Sequence, residues 1–113
     1  MANSFINKKV DLTTTDLTTL YTVPDFNSSV VKSILVSNES GSRCNLDVTL
    51  VNASSAIFSL FKTKAVDTNT TVELLSQPLV MEEKEILKVQ ASDANELHVI
   101  ASILEIQPRE VTT

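Results

Sequence analysis

Acyl-transfer chemistry in this chain would depend on His98, because it is the single histidine. A serine–histidine–aspartate arrangement would have to use it. Leu97, Val99 and Ile100 place His98 in the middle of an apolar strand rather than on a loop, where catalytic residues are concentrated. The sequence therefore predicts a histidine at a sheet face or a subunit contact, without a catalytic role.

Cys44 and the acidic cluster of Glu82, Glu83 and Glu85 are the candidates for metal binding. A single cysteine cannot form an intramolecular disulfide, and Cys44 has no cysteine or histidine at the spacing of a zinc site. Calcium loops arrange their ligands at alternating positions around a glycine, which the acidic cluster lacks. We predict a small buried residue at 44, a solvated turn at 82–85, and neither a metal nor a cofactor.

The composition bears on two classes of ligand, carbohydrate and nucleic acid. The threonine run at 13–15 could bind a carbohydrate, but tryptophan is absent and Tyr21 is the only tyrosine, so the aromatic platform for a sugar ring is missing. The net charge of −5 and a single adjacent basic pair, Lys8-Lys9, disfavour nucleic acid, because phosphate neutralisation needs clustered basic residues. Carbohydrate binding stays a secondary hypothesis.

The chain of 113 residues, 42% of them apolar, is long enough for one domain with its own core. No run approaches the roughly 18 apolar residues of a membrane-spanning helix. The N-terminus lacks a basic start followed by an apolar stretch, so we expect no secretory signal peptide and synthesis in a cytosol.

The elements that must position these side chains are β-strands, because apolar residues recur at every second position along most of the chain. In the last long segment Leu97, Val99, Ala101 and Ile103 form one alternating set. The other set is also largely apolar, so we predict a strand covered on both faces. Six to eight strands, with turns about every 8–12 residues and no amphipathic helix, indicate an antiparallel sandwich or barrel. Of these we predict an antiparallel β-sandwich of the jelly-roll or immunoglobulin-like type.

The predicted organisation is an extended N-terminal arm at 1–16, a β-sandwich at 17–107 and a short tail at 108–113. We expect the arm to contact neighbouring subunits, and deletion of 1–16 to weaken association while the core stays folded. Leu35 and Leu104 are predicted to be buried, so that alanine at either position should cost about 2–5 kcal/mol. The expected contact residues are the apolar side chains of the arm, which are costly to leave in water: Phe5, Ile6, Val10 and Leu12.

Several segments of the chain resemble a family of small virion structural proteins of tailed bacteriophages, common in phages of marine and cyanobacterial hosts. The similarity covers most of the chain after Leu17. One departure is Glu83-Lys84-Glu85, where such modules often turn through a Gly-Asp pair. The segments that carry the resemblance are LTTLYTVP at 17–24, VVKSILVSN at 30–38, VELL at 72–75, LKVQAS at 87–92 and SILEI at 102–106.

The resemblance implies a β-sandwich without catalytic residues that assembles or stabilises a phage particle. The favoured role is a capsid decoration, or cement, protein on the head lattice, because a small acidic domain with an arm suits a subunit that attaches to a lattice. The alternative is a tail, neck or tail-fibre module, with or without carbohydrate binding. The implied partners are other virion proteins, such as the major capsid protein or neck and tail proteins, and further copies of the chain, as in a trimer. Neither nucleic acid nor a membrane is implied as a partner, and the expected location is the virion, after synthesis in the host cytoplasm.

Overall fold

The computed structural model describes residues 3–107, which form nine β-strands and contain no helix, and therefore none that could span a membrane. The predicted all-β fold is confirmed. These nine strands are one more than the predicted maximum of eight, and the additional strand is β1, which lies in the segment predicted to be an arm. The strands are β1 (Asn3–Asp11), β2 (Thr18–Thr22), β3 (Ser28–Asn38), β4 (Cys44–Val51), β5 (Ile57–Val66), β6 (Thr70–Glu73), β7 (Leu79–Met81), β8 (Ile86–Ala91) and β9 (Leu97–Ile106).

The strands form two antiparallel sheets that face each other. Sheet A has the order β1-β9-β3-β6, with β7 continuing along the same edge of β3 as β6, and sheet B has the order β2-β8-β4-β5. The pairs β1/β9, β2/β8, β3/β6 and β4/β5 are nested in sequence, like one long hairpin with β4 and β5 at its tip. Wrapping this hairpin places β9 beside β3 and β8 beside β4. This topology is a jelly roll, the first of the two predicted types.

The core lies between the inner faces of the two sheets. On β9 one alternating set is fully buried, from Leu97 to Ile103, whereas Ile100 of the other set is 39% exposed. The prediction that β9 is covered on both faces is therefore wrong, because within residues 3–107 no third layer packs on sheet A.

The prediction for Leu35 is also wrong, because this side chain is 37% exposed while the adjacent Ile34 is fully buried. A β-bulge between Val31 and Ser33 adds one residue to β3 and shifts its alternation. Residues 34–36 are all apolar, so the period of two alone could not decide which of them faces the core. Leu104, the second residue predicted to be buried, is half-buried on the outer face.

The N-terminal segment is an edge strand rather than a separate arm. β1 pairs with β9 over its whole length, from Asn3 opposite Ile106 to Asp11 opposite His98. The strand satisfies one edge of β9, whose backbone groups would otherwise stay unpaired. Leu12 follows it into the core, and its backbone N–H donates to the Leu97 carbonyl at 3.0 Å. The predicted arm thus overlaps the sandwich at residues 3–12, and the predicted tail at 108–113 lies outside the described residues.

The solvated turn predicted at 82–85 is present between β7 and β8. The Glu85 backbone N–H donates to the Glu82 carbonyl at 3.1 Å, and Lys84 has a φ of 69°. This left-handed conformation is the one that glycine adopts most readily. The lysine therefore adopts a glycine-like backbone conformation where resembling modules often place a Gly-Asp pair.

Candidate interaction surface

The outer face of sheet A carries an apolar row across four strands. Each residue of the row lies opposite the next on the neighbouring strand, in the order Phe5 (β1), Leu104 (β9), Val30 (β3) and Val80 (β7). The two ends of the row are the most open, with Phe5 76% exposed and Val80 65% exposed. Leu104 and Val30 between them are half-buried by their neighbours.

A second row crosses the same face nearer to the other end of the strands. Lys9 of β1 lies opposite Ile100 of β9, which lies opposite Leu35 of β3, which lies opposite Glu73 of β6. The row therefore has two apolar side chains in the middle, a cation at one end and an anion at the other. We call the six apolar residues of both rows the outer apolar patch: Phe5, Val30, Leu35, Val80, Ile100 and Leu104.

Glu73 holds its end of the second row in place. Its carboxylate accepts hydrogen bonds from the Ser33 hydroxyl and from the backbone N–H groups of Ile34 at 2.8 Å and Leu75 at 3.1 Å. Burial raises the pKa of Glu73, but these hydrogen bonds outweigh it and hold the pKa below the ordinary value of a glutamate. The side chain is therefore charged at neutral pH and anchors β6 at the bulge of β3.

Three of the four predicted contact residues lie on the two faces of β1, and the fourth, Leu12, follows the strand. Phe5 points outward, whereas Ile6 and Val10 pack partly buried against the core and Leu12 is buried within it. Phe5 alone belongs to the outer apolar patch. Ile100 and Leu104 belong to the second apolar set of β9, and their apolar character alone could not distinguish these outer-face residues from buried ones.

His98 lies on the outer face of sheet A, as predicted for a strand histidine at a sheet face. Its Nε2 is 3.2 Å from the Asp11 carboxylate and its Nδ1 is 3.6 Å from the Glu39 carboxylate. Within residues 3–107 both ring nitrogens thus face carboxylates rather than an activated hydroxyl. The arrangement links the end of β1 to the end of β3 across β9.

Cys44 is buried, as predicted, but the fold brings two acidic residues to it that are distant in sequence. Ligand atoms of Cys44, Asp93 and Glu96 lie within 4.8 Å of one another. The Glu96 carboxylate accepts hydrogen bonds from the Ser42 hydroxyl and, at 2.8 Å, from Ser40, which lower the pKa of Glu96. These contacts connect the turn after β3 to the turn before β9.

A polar group inside the core connects the two sheets. The Tyr21 hydroxyl of β2 is 2.6 Å from the Glu105 carboxylate of β9 and 2.6 Å from the Ser29 hydroxyl of β3. Because a phenol has one proton, it donates to Glu105 and accepts from Ser29. Burial, reinforced by the hydrogen bond to Glu105, raises the pKa of Tyr21 well above its usual value. The phenol therefore stays protonated at neutral pH and crosslinks the sheets.

The outer face of sheet B is polar over part of its area only, since the exposed Ile57 of β5 lies opposite Val51 of β4 on the same face. An open groove of about 340 Å³ runs over β4 and β8. Within it the Gln90 side-chain amide donates to the Thr15 carbonyl at 2.9 Å, and Asp47 accepts from the Thr63 backbone N–H at 2.6 Å. The side chains that line the groove carry hydroxyl, amide or carboxylate groups except for Ala91: Thr15, Asn45, Asp47, Thr63, Gln90, Ala91 and Ser92.

No protein-family model matches the chain, and no curated protein matches it in sequence. Among solved structures it is similar to a chain from the acid-stable capsid structure of the Helicobacter pylori bacteriophage KHP30, with a TM-score of 0.60 and 9% identity, over 100% of this chain and 95% of that chain. The infectious bursal disease virus VP2 subviral particle gives a TM-score of 0.48 at 11% identity, over 92% of this chain and 32% of that chain. A pentameric capsid protein from metagenomic phage sequences gives 0.40 at 18% identity, over 88% and 58%. The first similarity shows that this chain has the fold of a chain in a phage capsid.

Proposed function

We propose that the chain is a non-enzymatic structural protein of a tailed-bacteriophage virion, and that it acts as a capsid decoration protein that stabilises the head lattice. The observation that carries this proposal is the full-length correspondence with a chain of a phage capsid structure, 100% of one and 95% of the other. Residues 3–107 form a single β-sandwich, and this fold supports an accessory subunit of the head.

The polar groups of the molecule support binding rather than turnover. The Tyr21 hydroxyl is committed to a structural crosslink, and His98 is flanked by the carboxylates of Asp11 and Glu39. Four of the six residues of the outer apolar patch are exposed instead: Phe5, Leu35, Val80 and Ile100. Exposed apolar side chains that cluster on one face of a domain mark protein–protein contacts. Other virion proteins, such as the major capsid protein, and further copies of the chain, as in a trimer, are the partners of this role.

The alternative is a tail, neck or tail-fibre module with a carbohydrate-binding role. The polar groove of sheet B favours it, because hydroxyl, amide and carboxylate groups can bind the hydroxyls of a sugar. The lining contains no aromatic side chain for stacking. Binding of a panel of bacterial surface glycans, lost on Asn45→Ala and Gln90→Ala, would support this alternative.

The test is a mass-spectrometric inventory of heads and tails purified separately from the same phage. Decoration predicts that the chain is abundant in heads and depleted in tails. Recombinant protein should also bind to heads from which it has been removed and raise their resistance to heating. Recovery in tails alone would favour the alternative, and absence from both fractions would reject a virion role.

Catalysis is tested separately with ester, peptide and glycoside substrates. We expect no turnover from the wild type or from His98→Ala, because in the described part of the chain the histidine faces two carboxylates and no positioned nucleophile. Reproducible hydrolysis that disappears in His98→Ala, with an unchanged melting temperature, would contradict the structural role.

A further inference from the structure

Each row of the outer apolar patch is complementary to the same row of a second copy that runs in the opposite direction across the sheet. From the β1 edge to the opposite edge, the second row runs cation, apolar, apolar, anion: Lys9, Ile100, Leu35, Glu73. Consider two facing copies of sheet A that are related by a twofold axis parallel to the strands. The axis reverses the order of residues across the sheet but leaves the position of each row along the strands unchanged. Lys9 then faces Glu73 of the second copy, and Ile100 faces Leu35 of the second copy.

We propose that the protein forms a twofold-symmetric dimer in which the outer faces of sheet A pack against each other. In this arrangement Phe5 faces Val80 of the second copy and Leu104 faces Val30 of the second copy. The same operation buries both apolar rows and pairs both charges of the second row. The inference goes beyond the virion role and does not depend on it, because the isolated chain suffices to test it. In this dimer the second copy, rather than another virion protein or a trimer, covers the outer apolar patch.

The facing residues remain close to each other even when the two sheets are rotated by the usual packing angle of β-sheets. Two aligned sheets pack about 10 Å apart and rotated by about 30°. With strands about 4.8 Å apart, the outermost strands of a four-stranded sheet lie roughly 7 Å from the axis. The rotation displaces their residues by about 4 Å, which is less than the roughly 7 Å between successive rows on one face. Phe5 therefore stays within reach of Val80 of the second copy.

The charges of this face also favour a second copy. A further row of this face consists of Asp11, His98, Ser37 and Thr71. The axis places Asp11 of one copy opposite Thr71 of the second copy. No two like charges face each other in that row or in the row of Lys9. Glu73 keeps its negative charge at neutral pH because its hydrogen bonds hold its pKa low.

The expected dimer is weak. The row between the two apolar rows is polar, with Asn7, Ser102 and Ser33 on neighbouring strands and the exposed Lys32 at the bulge of β3. Three strands of about ten residues and the short strands β6 and β7 at the fourth position cover roughly 600 Å² in projection, at the lower limit of stable interfaces. We expect a dissociation constant in the micromolar range.

The experiment is sedimentation velocity of the full chain over a range of concentrations, with single variants at both ends of the first row. Phe5→Lys and Val80→Glu should each weaken dimerisation at least tenfold, because each places a charge against an apolar side chain. Ile57→Lys is the matched control, since Ile57 is 69% exposed on sheet B. Far-UV circular dichroism and melting curves establish that each variant is folded.

Mixing the two variants tests the register itself. When Phe5→Lys is combined with Val80→Glu, the new cation faces the new anion across one end of a heterodimer, and the other end keeps the wild-type contact. Dimerisation should recover in the mixture. A wild type that stays monomeric, a species other than a dimer, equal weakening by Ile57→Lys, or a mixture that does not recover would each overturn the proposal.

Discussion

The inner and outer faces of sheet A are built from neighbouring residues of the same strands, yet their environments differ completely. On β3 the side chain of Ile34 is fully buried and that of Leu35 is 37% exposed. On β9 the same contrast separates Val99, which is fully buried, from Ile100, which is 39% exposed. Residues of nearly equal hydrophobicity therefore serve the core on one face and remain available for a partner on the other.

The polar groups of the two faces differ in the same way. On the inner face Tyr21, Ser29 and Glu105 satisfy one another, because an unpaired polar group would be costly there. On the outer face Lys9 and Glu73 form hydrogen bonds within the chain but no salt bridge among residues 3–107, so each charge can still pair with an opposite charge of a partner. Burial demands internal pairing, whereas an exposed face can keep its charges for recognition.

Deletion of residues 1–16 should have the largest effect and would test whether β1 belongs to the core. Removing β1 and Leu12 leaves one edge of β9 unpaired and opens the inner face. We expect a loss larger than the about 2–5 kcal/mol of a single core truncation, enough to unfold a domain of marginal stability. Circular dichroism and thermal melting measure it. Phe5→Ser, which alters only the outer face of β1, is the control, and a truncated chain with a wild-type melting temperature would restore the arm interpretation.

Ile34→Ala and Leu35→Ala compare the two faces at adjacent positions. We expect Ile34→Ala to lower the free energy of unfolding by about 2–5 kcal/mol, because it leaves a cavity in the core. Leu35→Ala should cost less than about 1 kcal/mol, because its side chain already contacts water. Urea denaturation of the monomer at low protein concentration measures both. Equal costs would mean that the outer face is covered within the monomer.

Tyr21→Phe should lower the free energy of unfolding by about 1–3 kcal/mol, because it leaves the buried Ser29 hydroxyl and the Glu105 carboxylate without their shared partner. Ser102→Ala removes a hydroxyl from the outer face of the same sheet and should change stability by less than about 0.5 kcal/mol. Denaturant unfolding of both variants gives the comparison. A negligible cost at Tyr21 would show that water replaces the crosslink.

Glu73→Gln should give the smallest effect, visible in the pH dependence of stability. The lowered pKa of Glu73 in the folded state contributes stability above the ordinary value of 4.5, and this contribution is lost as the pH falls through the folded-state pKa. The wild type should therefore lose more stability between about pH 6 and about pH 3 than the variant does. Urea midpoints at both pH values measure the difference. Identical losses would assign the acid sensitivity to other groups.

The sequence by itself determined the class of the fold. A period of two in apolar residues, turns at regular spacing and the absence of a helical stripe sufficed for an all-β sandwich, because these local patterns reflect the geometry of a single strand. The exposed turn at 82–85 and the buried Cys44 followed in the same way. The choice between a jelly roll and an immunoglobulin-like sandwich stayed open, since strand order depends on contacts between distant segments.

Only the tertiary structure decided which apolar residues face the core and which remain outside. The bulge in β3 turns Leu35, predicted to be buried, to the outer face, and pairing with β9 makes the predicted arm an edge strand. Likewise, the outer apolar patch gathers residues from four strands that are far apart in sequence. A period of two distinguishes the two faces of a strand, but whether another layer covers a face is a property of the assembled sheets.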